Sequence, residues 1–348
     1  MRILLVTDAW HPQVNGVVRT LATLKRGLEG LGHEVTYITP DLFRTIPCPT
    51  YPEIRLALWP GRQMRQLIDS FRPCAIHIAT EGSLGLAAWS YCRKRGLPFT
   101  TAFHTKFPEY LHARFGLPPK WTYAALRRFH GQADAIMVAT PTIERELRAQ
   151  GFDRIKRWSR GVDTEQFRPR DKAFLDLPRP ILLYVGRVAV EKNIEAFLTL
   201  DTPGTKVVIG DGPLLPQMRQ KYQSAVFLGA KHGEDLARHY AAADVFVFPS
   251  LTDTFGLVLL EALASGVPVA AYPVAGPLDV IADAPVGCLH HNLGLAIGQA
   301  LTLSPQACRA HAETYSWAAC TEQFLANIRP FDYPWGQTPV EPRVAAAV

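Results

Sequence analysis

The chain has 348 residues, an apolar fraction of 48%, six cysteines and a net charge of +6, so it is long enough for two domains that each bury a core. No apolar run reaches the roughly 18 residues that a membrane-spanning helix needs. The scattered cysteines form no C-x-x-C pair, which disfavours a zinc site or a disulfide framework and favours a cytoplasmic protein with reduced thiols. The positive charge suits phosphates, nucleic acid or anionic lipid as partners, although it also simply aids solubility.

Short apolar strands alternate with helices through the first half of the chain. The first strand is predicted at Ile3–Val6, and a helix follows in which Val17, Leu21, Leu24 and Leu28 recur at helical spacing. Further strands are predicted at 35–38, 75–79, 99–103 and 135–138. Strands separated by helices indicate a parallel sheet with right-handed crossovers.

The alternation breaks near residues 160–180, where prolines and charges mix, and then starts again. Further strands are predicted at 181–185, 207–209, 226–228, 245–248 and 267–271. We therefore predict an α/β protein with two doubly wound, Rossmann-like domains that face each other across a cleft, with ligands at the carboxyl ends of the strands. The predicted organisation is a first domain at 1–165, a linker at 166–180, a second domain at 181–304, a C-terminal helix at 305–330 that returns toward the first domain, and a loose tail at 331–348.

Two residues of the first domain follow strand ends. Gly16 directly precedes the first helix, where a glycine lets the backbone approach a phosphate closely, although such a loop is equally often a plain turn. His104 follows the strand at 99–103, and a lone histidine there is more often a hydrogen-bonded structural residue than a functional one. Neither residue defines a site without its neighbours.

The segment from Lys120 to His130 predicts an amphipathic helix. On a helical wheel one arc is apolar and the other is basic: Trp121, Ala125, Leu126 and Phe129 against Lys120, Tyr123, Arg127, Arg128 and His130. This pattern fits an anionic membrane surface, and it fits an ordinary surface helix packed on its sheet equally well. Residues 62–72 predict a second helix with arginines beside apolar side chains.

The second domain carries cations in the loop after its first strand. Gly186 opens that loop, and Arg187 and Lys192 can converge on a diphosphate, because arginine grips two phosphate oxygens and lysine adds a point charge. Alone, such residues more often form a solvated basic turn. The turn at 210–213, Gly-Asp-Gly-Pro, is expected to shape the site without taking part in chemistry.

The most informative segment, 249–269, joins a strand to an apolar helix and then to the next strand. A helix that begins directly after a strand presents backbone N–H groups to an anion. Asp253 and Glu261 lie on either side of this helix start, which suits a phosphate-bearing ligand with hydroxyl groups. The expected anion-binding amides are those near Phe255, Gly256, Leu257 and Val258. Glu261 lies on a crowded apolar helix, so it is expected to have a polar partner, such as the ribose of a nucleotide.

This segment closely resembles the signature of retaining glycosyltransferases of family 4, which have the GT-B fold. In that family two glutamates separated by seven residues lie around Phe-Gly, and Glu-Ala-x-Ala-x-Gly-x-Pro-Val follows. Here the spacing holds, and the first acid is Asp253, one methylene shorter. The resemblance extends over residues 1–328 and includes the loop at Gly16, the histidine after a central strand, and the Gly-Arg and Lys-Asn pairs of the 186–193 loop.

The resemblance implies a role for each candidate residue. Arg187 and Lys192 would contact the diphosphate, Glu261 the ribose and Asp253 the hydroxyls of the transferred sugar, near His104. The donor-binding backbone would come from Gly16, Gly186 and residues 255–258. Family members with lipid acceptors include monotopic membrane proteins, which implies a membrane or acceptor contact at Lys120, Trp121, Arg127 and Arg128.

We therefore predict a retaining hexosyltransferase that uses a nucleotide-diphosphate sugar, best a UDP-sugar, and a hydroxyl acceptor, best a membrane lipid such as diacylglycerol. It is expected in the cytoplasm, peripherally at the inner face of the plasma membrane, with no nucleic-acid partner. Open alternatives are a GDP-mannose-dependent mannosyltransferase, a transferase to a soluble or polysaccharide acceptor, and a sugar-nucleotide epimerase on the same fold.

Two features of the sequence argue against other chemistries. A dinucleotide-dependent oxidoreductase is disfavoured, because no G-x-G-x-x-G follows the first strand of either domain. No Asp-x-Asp pair occurs, so we expect no metal and no cofactor, with Arg187, Lys192 and a helix N-terminus neutralising the leaving group.

Overall fold

In the computed structural model, which describes residues 1–13, 15–48 and 51–335, the alternating strands and helices form two units. The first unit comprises residues 1–139 and 143–158 together with the described C-terminal residues from 320 onward. The second unit comprises residues 140–142 and 159–319.

The first unit is built on a six-stranded parallel sheet with the order β2-β1-β5-β6-β7-β8, beside an antiparallel β3–β4 hairpin. Its strands are β1 (Arg2–Val6), β2 (Glu34–Ile38), β3 (Thr45–Cys48), β4 (Tyr51–Ala57), β5 (Ala75–Ile78), β6 (Thr100–Phe103), β7 (Ala135–Val138) and β8 (Ile155–Arg157). Its helices are α1 (Gly16–Gly30), α2 (Gly61–Phe71), α3 (Ser83–Arg95), α4 (Phe107–Phe115), α5 (Pro119–His130) and α6 (Pro141–Ala149), of which residues 143–149 belong to this unit.

The second unit has a six-stranded parallel sheet with the order β11-β10-β9-β12-β13-β14. Its strands are β9 (Ile181–Val185), β10 (Thr205–Ile209), β11 (Val226–Gly229), β12 (Val245–Phe248), β13 (Val269–Ala271) and β14 (Gly287–Leu289). Its helices are α7 (Ile194–Leu198), α8 (Leu215–Lys221), α9 (Gly233–Ala242), α10 (Leu257–Ala264), α11 (Ala275–Ile281), α12 (Leu293–Ala300) and α13 (Pro305–Ala312), and the chain continues into α14 (Trp317–Asn327).

The predicted fold class, two doubly wound Rossmann-like domains, is confirmed. Residues 3–6 of β1 and 181–184 of β9 are almost completely buried, as expected for parallel strands covered on both faces. Each sheet has a switch point, where successive strands leave a central strand in opposite directions: between β1 and β5 in the first unit, and between β9 and β12 in the second. Ligands of open parallel sheets bind outside such points.

The C-terminal region differs from the single helix expected at 305–330. Two helices, α13 and α14, occupy it, because the Ser316 hydroxyl accepts the N–H of Ala319 and starts a new helix. Residues 320–327 of α14 pack in the first unit, where the Trp158 indole donates to the Cys320 carbonyl at 3.1 Å.

The expectation of a loose tail from residue 331 does not hold for residues 331–335. Phe331, Tyr333 and Trp335 pack against the core of the first unit, and the Phe331 N–H donates to the Cys74 carbonyl at 2.8 Å. Three aromatic side chains at alternate positions give this segment enough apolar surface to stay in place. The rest of the predicted tail, residues 336–348, lies outside the described residues.

Helix α5 differs from its predicted helical wheel. Tyr123 and His130, expected on the basic face, are buried, whereas Trp121, expected on the apolar arc, is 68% exposed. Both polar side chains can be buried because each has a hydrogen-bond partner. The Tyr123 hydroxyl donates to Glu109, and the His130 ring forms a hydrogen bond with the Thr101 hydroxyl at 2.9 Å. Within the described ranges, no helix combines the length and the apolarity that a bilayer crossing requires.

Candidate functional site

The candidate site of the second unit lies where the loops after β9 and β12 meet, at the switch point of the sheet. The Glu191 carbonyl accepts hydrogen bonds from the hydroxyls of Ser250 and Thr252 at 3.5 and 3.4 Å. The Asn193 amide donates to the Pro249 carbonyl at 3.1 Å. These bonds join the 186–193 and 249–256 segments, which are about 60 residues apart in sequence.

Lys192 and Asp253 form an ion pair across this junction. Lys192 ends a 3₁₀ turn at Val190–Lys192, and its ammonium lies 2.5 Å from Asp253 Oδ1. The other oxygen of Asp253 is buried and has no hydrogen-bond partner among the described residues. A buried carboxylate oxygen without a donor is costly, so this oxygen is suited to accept a hydrogen bond from a ligand hydroxyl.

Helix α10 begins directly after this loop and has no side-chain cap. Its N-cap is Gly256, whose left-handed conformation (φ 85°) favours glycine. A Cβ there would also lie 3.1 Å from Leu259 Cδ1. The amides of Leu257 and Val258 therefore point out of the helix start, where the helix dipole favours an anion. Phe255, which precedes the cap, is buried.

Glu261 has the polar partner that its sequence context requires. It is only 3% exposed, and the fully buried Tyr240 of α9 donates its hydroxyl to Glu261 Oε2 at 2.9 Å. The Tyr240 ring is fixed in turn by edge contact with Phe167 at 5.6 Å. This hydrogen bond from the tyrosine sets the orientation of the carboxylate.

Glycines hold the surrounding turns at distances that a side chain would prevent. A Cβ on Gly210 would lie 1.9 Å from the Gly186 carbonyl oxygen, so the 210–213 turn packs directly under the loop that carries Arg187. A Cβ on Gly276, in the first turn of α11, would lie 2.5 Å from the Phe255 carbonyl oxygen. The positions of both site loops therefore depend on backbone-to-backbone packing.

Arg187 lies in the same loop as Lys192 and is partly buried. Its carbonyl accepts the Tyr184 hydroxyl at 2.7 Å, which anchors the loop at the end of β9. The structure thus places Arg187, Lys192, Asp253 and the start of α10 at one switch point. The sequence assigns Lys192 to the diphosphate and Asp253 to the sugar hydroxyls. In the structure these two side chains form an ion pair with each other.

At the switch point of the first unit, Asp8 ties β1 to the start of α3. Its carboxylate accepts the N–H groups of Leu84 and Gly85 at 2.8 and 3.2 Å and the hydroxyls of Thr80 and Ser83 at 2.9 and 3.2 Å. Burial raises the pKa of the Asp8 carboxyl, against the opposing effect of these hydrogen bonds. All four donors stabilise the ionised form, so this acid closes a helix N-terminus.

Two predicted residues lie at the same end of the first sheet. His104 follows β6, is partly buried, and has its ring 5.8 Å from that of Trp158. Gly16 is exposed at the start of α1, but the Asn15 side chain already accepts the amides of Val17 and Val18. An anion at this helix start would therefore have to compete with Asn15.

The predicted membrane contact on α5 divides into two parts. Lys120 and Trp121 are exposed in the first turn, with the lysine ammonium 5.5 Å from the indole. Arg127, near the other end of the helix, donates to the Gln150 carbonyl at 2.8 Å and is partly buried, whereas Arg128 is exposed.

Sequence reasoning missed Tyr240, Asp8 and Gly276. Tyr240 bonds Glu261, 21 residues away in sequence, and Asp8 bonds the Leu84 N–H, 76 residues away, and no local sequence pattern marks such pairs. Gly276 follows the predicted strand at 267–271, where a glycine at a helix start was the available signal. In the described ranges, no group of three or more His, Cys, Asp or Glu residues is placed to hold a metal ion.

Comparisons with known proteins agree on one family. The family model "Glycosyltransferase Family 4" matches residues 14–166, and the model "Glycosyl transferases group 1" matches residues 179–301. A GDP-mannose-dependent alpha-mannosyltransferase from Mycobacterium tuberculosis is 30% identical, covering 94% of this chain and 96% of the relative. An alpha-monoglucosyldiacylglycerol synthase from Streptococcus pneumoniae is 29% identical, covering 95% of this chain and 85% of the relative.

Among solved structures, the sucrose-phosphate synthase from Thermosynechococcus elongatus superposes with a TM-score of 0.78 at 22% identity. The match covers 93% of this chain and 97% of that one. Similarity at this level establishes a shared fold.

Proposed function

The chain belongs to Glycosyltransferase Family 4, and from this premise we propose that it transfers a hexose or hexuronate from a nucleotide-diphosphate sugar to a hydroxyl acceptor with retention of configuration. The second unit binds the donor and the first unit binds the acceptor. The main support is the ion pair of Lys192 with Asp253 beside the uncapped start of α10. That arrangement offers cations and amides to a diphosphate and a carboxylate oxygen to a sugar hydroxyl.

In this proposal the leaving diphosphate is neutralised by Arg187, Lys192 and the amides of Leu257 and Val258. An ammonium group has three donors, so Lys192 can keep its bond to Asp253 while it contacts a phosphate oxygen. Such preorganised groups stabilise the charge that develops as the glycosidic bond breaks. We favour displacement on the same face of the sugar, assisted by the leaving phosphate, without a metal ion.

The remaining residues would hold the substrates. The second oxygen of Asp253 accepts a sugar hydroxyl, Glu261 binds the ribose in the orientation that Tyr240 imposes, and His104 lies near the transferred sugar. Gly186 and Gly16 supply the backbone of the donor-binding loops.

A membrane lipid such as diacylglycerol is the acceptor we propose, and it agrees with the name of the streptococcal relative. Lys120, Trp121, Arg127 and Arg128 on α5 would contribute to a contact with an anionic membrane. Such an enzyme would work in the cytoplasm, at the inner face of the plasma membrane. We propose a UDP-sugar as the donor, and the mycobacterial relative, named for GDP-mannose, supports a mannosyltransferase as the second candidate.

A donor screen tests this proposal. Hydrolysis and transfer are measured with UDP-, GDP- and ADP-sugars, with Lys221→Ala as the control because Lys221 pairs with Glu195 on the surface of the same unit. One donor should be consumed by the wild type and by Lys221→Ala, and far more slowly by Lys192→Ala. Conversion of a nucleotide sugar to its epimer without any acceptor would instead establish the epimerase alternative.

A further inference from the structure

The exposed apolar side chains of the first unit are concentrated at one edge of its sheet. Among its described residues ten large apolar side chains are exposed, and only Met1 and Leu31 lie at the end where the parallel strands begin. The other eight lie in the segments that follow β2, β5 and β6, up to the first turns of α2, α3 and α5: Leu42, Ile46, Leu58, Trp59, Leu86, Phe107, Leu117 and Trp121. His104 and the Asp8 loop are at this same edge, which we call the carboxyl edge.

Four of these side chains belong to the β3–β4 hairpin and its flanks, between β2 and α2. Thr45 pairs with Ala57 in the hairpin register, and Ala57 faces the core. Side chains alternate across a strand, so Ile46 and Leu58 share the outer face. Leu58 donates its N–H to the Arg44 carbonyl at 2.8 Å, which extends the pairing to the end of the hairpin.

Trp59 is the most exposed large apolar residue of the described chain, at 93%, and its backbone is left-handed (φ 49°). A bulky residue in this conformation is an outlier that its surroundings must maintain. The start of α2 does so, because the Met64 N–H donates to the Pro60 carbonyl at 2.8 Å directly after the turn. The fold therefore presents an indole to solvent at an energetic cost, which a packing role does not explain.

The hairpin is fixed to the acceptor end of the first unit. The Ala57 N–H donates to the Ser83 hydroxyl at 2.9 Å, and that hydroxyl donates to Asp8. Because Asp8 also closes the start of α3, the Leu58–Trp59 turn is held in a defined position relative to the switch point. A contact made by Trp59 is therefore positioned with respect to the site.

Exposed arginines flank the hairpin end in sequence. Arg44, Arg62 and Arg65 are exposed, Arg65 pairs with Asp69 at 3.4 Å, and Asp41 is exposed as well. An exposed indole with exposed arginines nearby in sequence suits the boundary between lipid head groups and acyl chains, where tryptophan rings sit and arginine reaches phosphates.

We propose that the Leu58–Trp59 turn inserts into an anionic lipid bilayer, with Trp121 and Lys120 at the start of α5 as a second contact along the carboxyl edge. This inference rests on the lipid acceptor proposed above, because it places the edge that binds the acceptor against the membrane that holds it.

Sedimentation with vesicles tests the proposal without any donor. Vesicles of phosphatidylcholine alone are compared with vesicles that contain phosphatidylglycerol, at low salt, for wild type, Trp59→Gly, Trp121→Ala and Leu295→Ser. Trp59→Gly removes the indole and relieves the left-handed backbone, and the midpoint of its thermal unfolding is measured to show that the fold is retained. Leu295 is 53% exposed on α12 of the second unit and is the matched control.

Wild type and Leu295→Ser should sediment with anionic vesicles, and Trp59→Gly should bind about tenfold more weakly, with a smaller loss for Trp121→Ala. Unchanged vesicle binding by Trp59→Gly overturns the proposal. So does a dimer of the wild type that dissociates in Trp59→Gly, since the turn would then be a contact between copies of the chain. Hydrolysis of the nucleotide sugar without vesicles should be equal in wild type and Trp59→Gly, and its absence from both with every donor would count against the proposed function alone.

Discussion

The switch points of the two units carry carboxylates with opposite surroundings. Asp8 in the first unit accepts four hydrogen bonds and closes the start of α3. Asp253 in the second unit shares one oxygen with Lys192 and keeps the other buried without a partner, beside a helix start that no side chain caps. Two parallel sheets that each have a switch point thus hold a carboxylate with a complete set of hydrogen bonds in one unit and a carboxylate with one unpaired oxygen in the other, because loops carry the function of this fold.

The two edges also differ in their exposed groups. The first unit displays apolar side chains such as Trp59 and Trp121 at its carboxyl edge, whereas the corresponding loops of the second unit present cations and helix amides beside only two exposed large apolar side chains in the described 186–193 and 249–256 segments, Val190 and Leu251. The comparison predicts that substitutions of Asp8 and Trp59 in the first unit affect folding or membrane contact, and that substitutions of Arg187, Lys192 and Asp253 in the second unit affect turnover.

The largest expected effect is on catalysis. Lys192→Ala and Arg187→Ala should each raise the activation barrier by about 2–4 kcal/mol, because each removes a charge that stabilises the leaving diphosphate. Single-turnover rates measure this loss, and the midpoint of thermal unfolding should change little. Rates close to wild type in both variants would show that the 186–193 loop does not bind the diphosphate.

Asp8→Ala tests the structural role of the carboxylate in the first unit. It should lower the free energy of unfolding by about 2–4 kcal/mol, because the amides of Leu84 and Gly85 lose their acceptor inside the protein. Urea unfolding measures the change. Asp253→Asn, the paired variant, should lower kcat at nearly unchanged stability, and Asp253→Glu should retain activity as the acid usual in the family. If Asp253→Asn unfolds as easily as Asp8→Ala, the two acids have the same structural role.

Glu261 and Tyr240 should affect donor binding more than chemistry. Glu261→Gln weakens the contact with the ribose and should raise the donor KM at similar kcat. Tyr240→Phe frees the carboxylate to rotate and should raise the KM less, by about 1 kcal/mol in binding. Steady-state kinetics with varied donor separate these effects. A fall in kcat at constant KM for Tyr240→Phe would show that the hydroxyl does not act through donor binding.

Much of this picture follows from local sequence patterns. The alternation of apolar strands and helices predicts both sheets, and residues 249–269 identify the strand, loop and helix start of the proposed donor site. Long-range partners do not follow. The Tyr240 hydroxyl meets Glu261 only after two helices pack, and the orientation of α5 depends on partners for Tyr123 and His130 that lie on other elements. The β3–β4 hairpin contains Pro47 and Pro52, which weaken any strand prediction.

The central claim is that the second unit holds a metal-independent donor site for transfer to a lipid. The most direct test incubates the protein with diacylglycerol in mixed micelles, excess EDTA and each of a set of UDP- and GDP-sugars, followed by NMR of the lipid product. The account predicts an α-linked glycolipid from an α-linked donor, with little product from Lys192→Ala. Product that forms only after Mn²⁺ or Mg²⁺ is added, or no glycolipid from any donor, would contradict it.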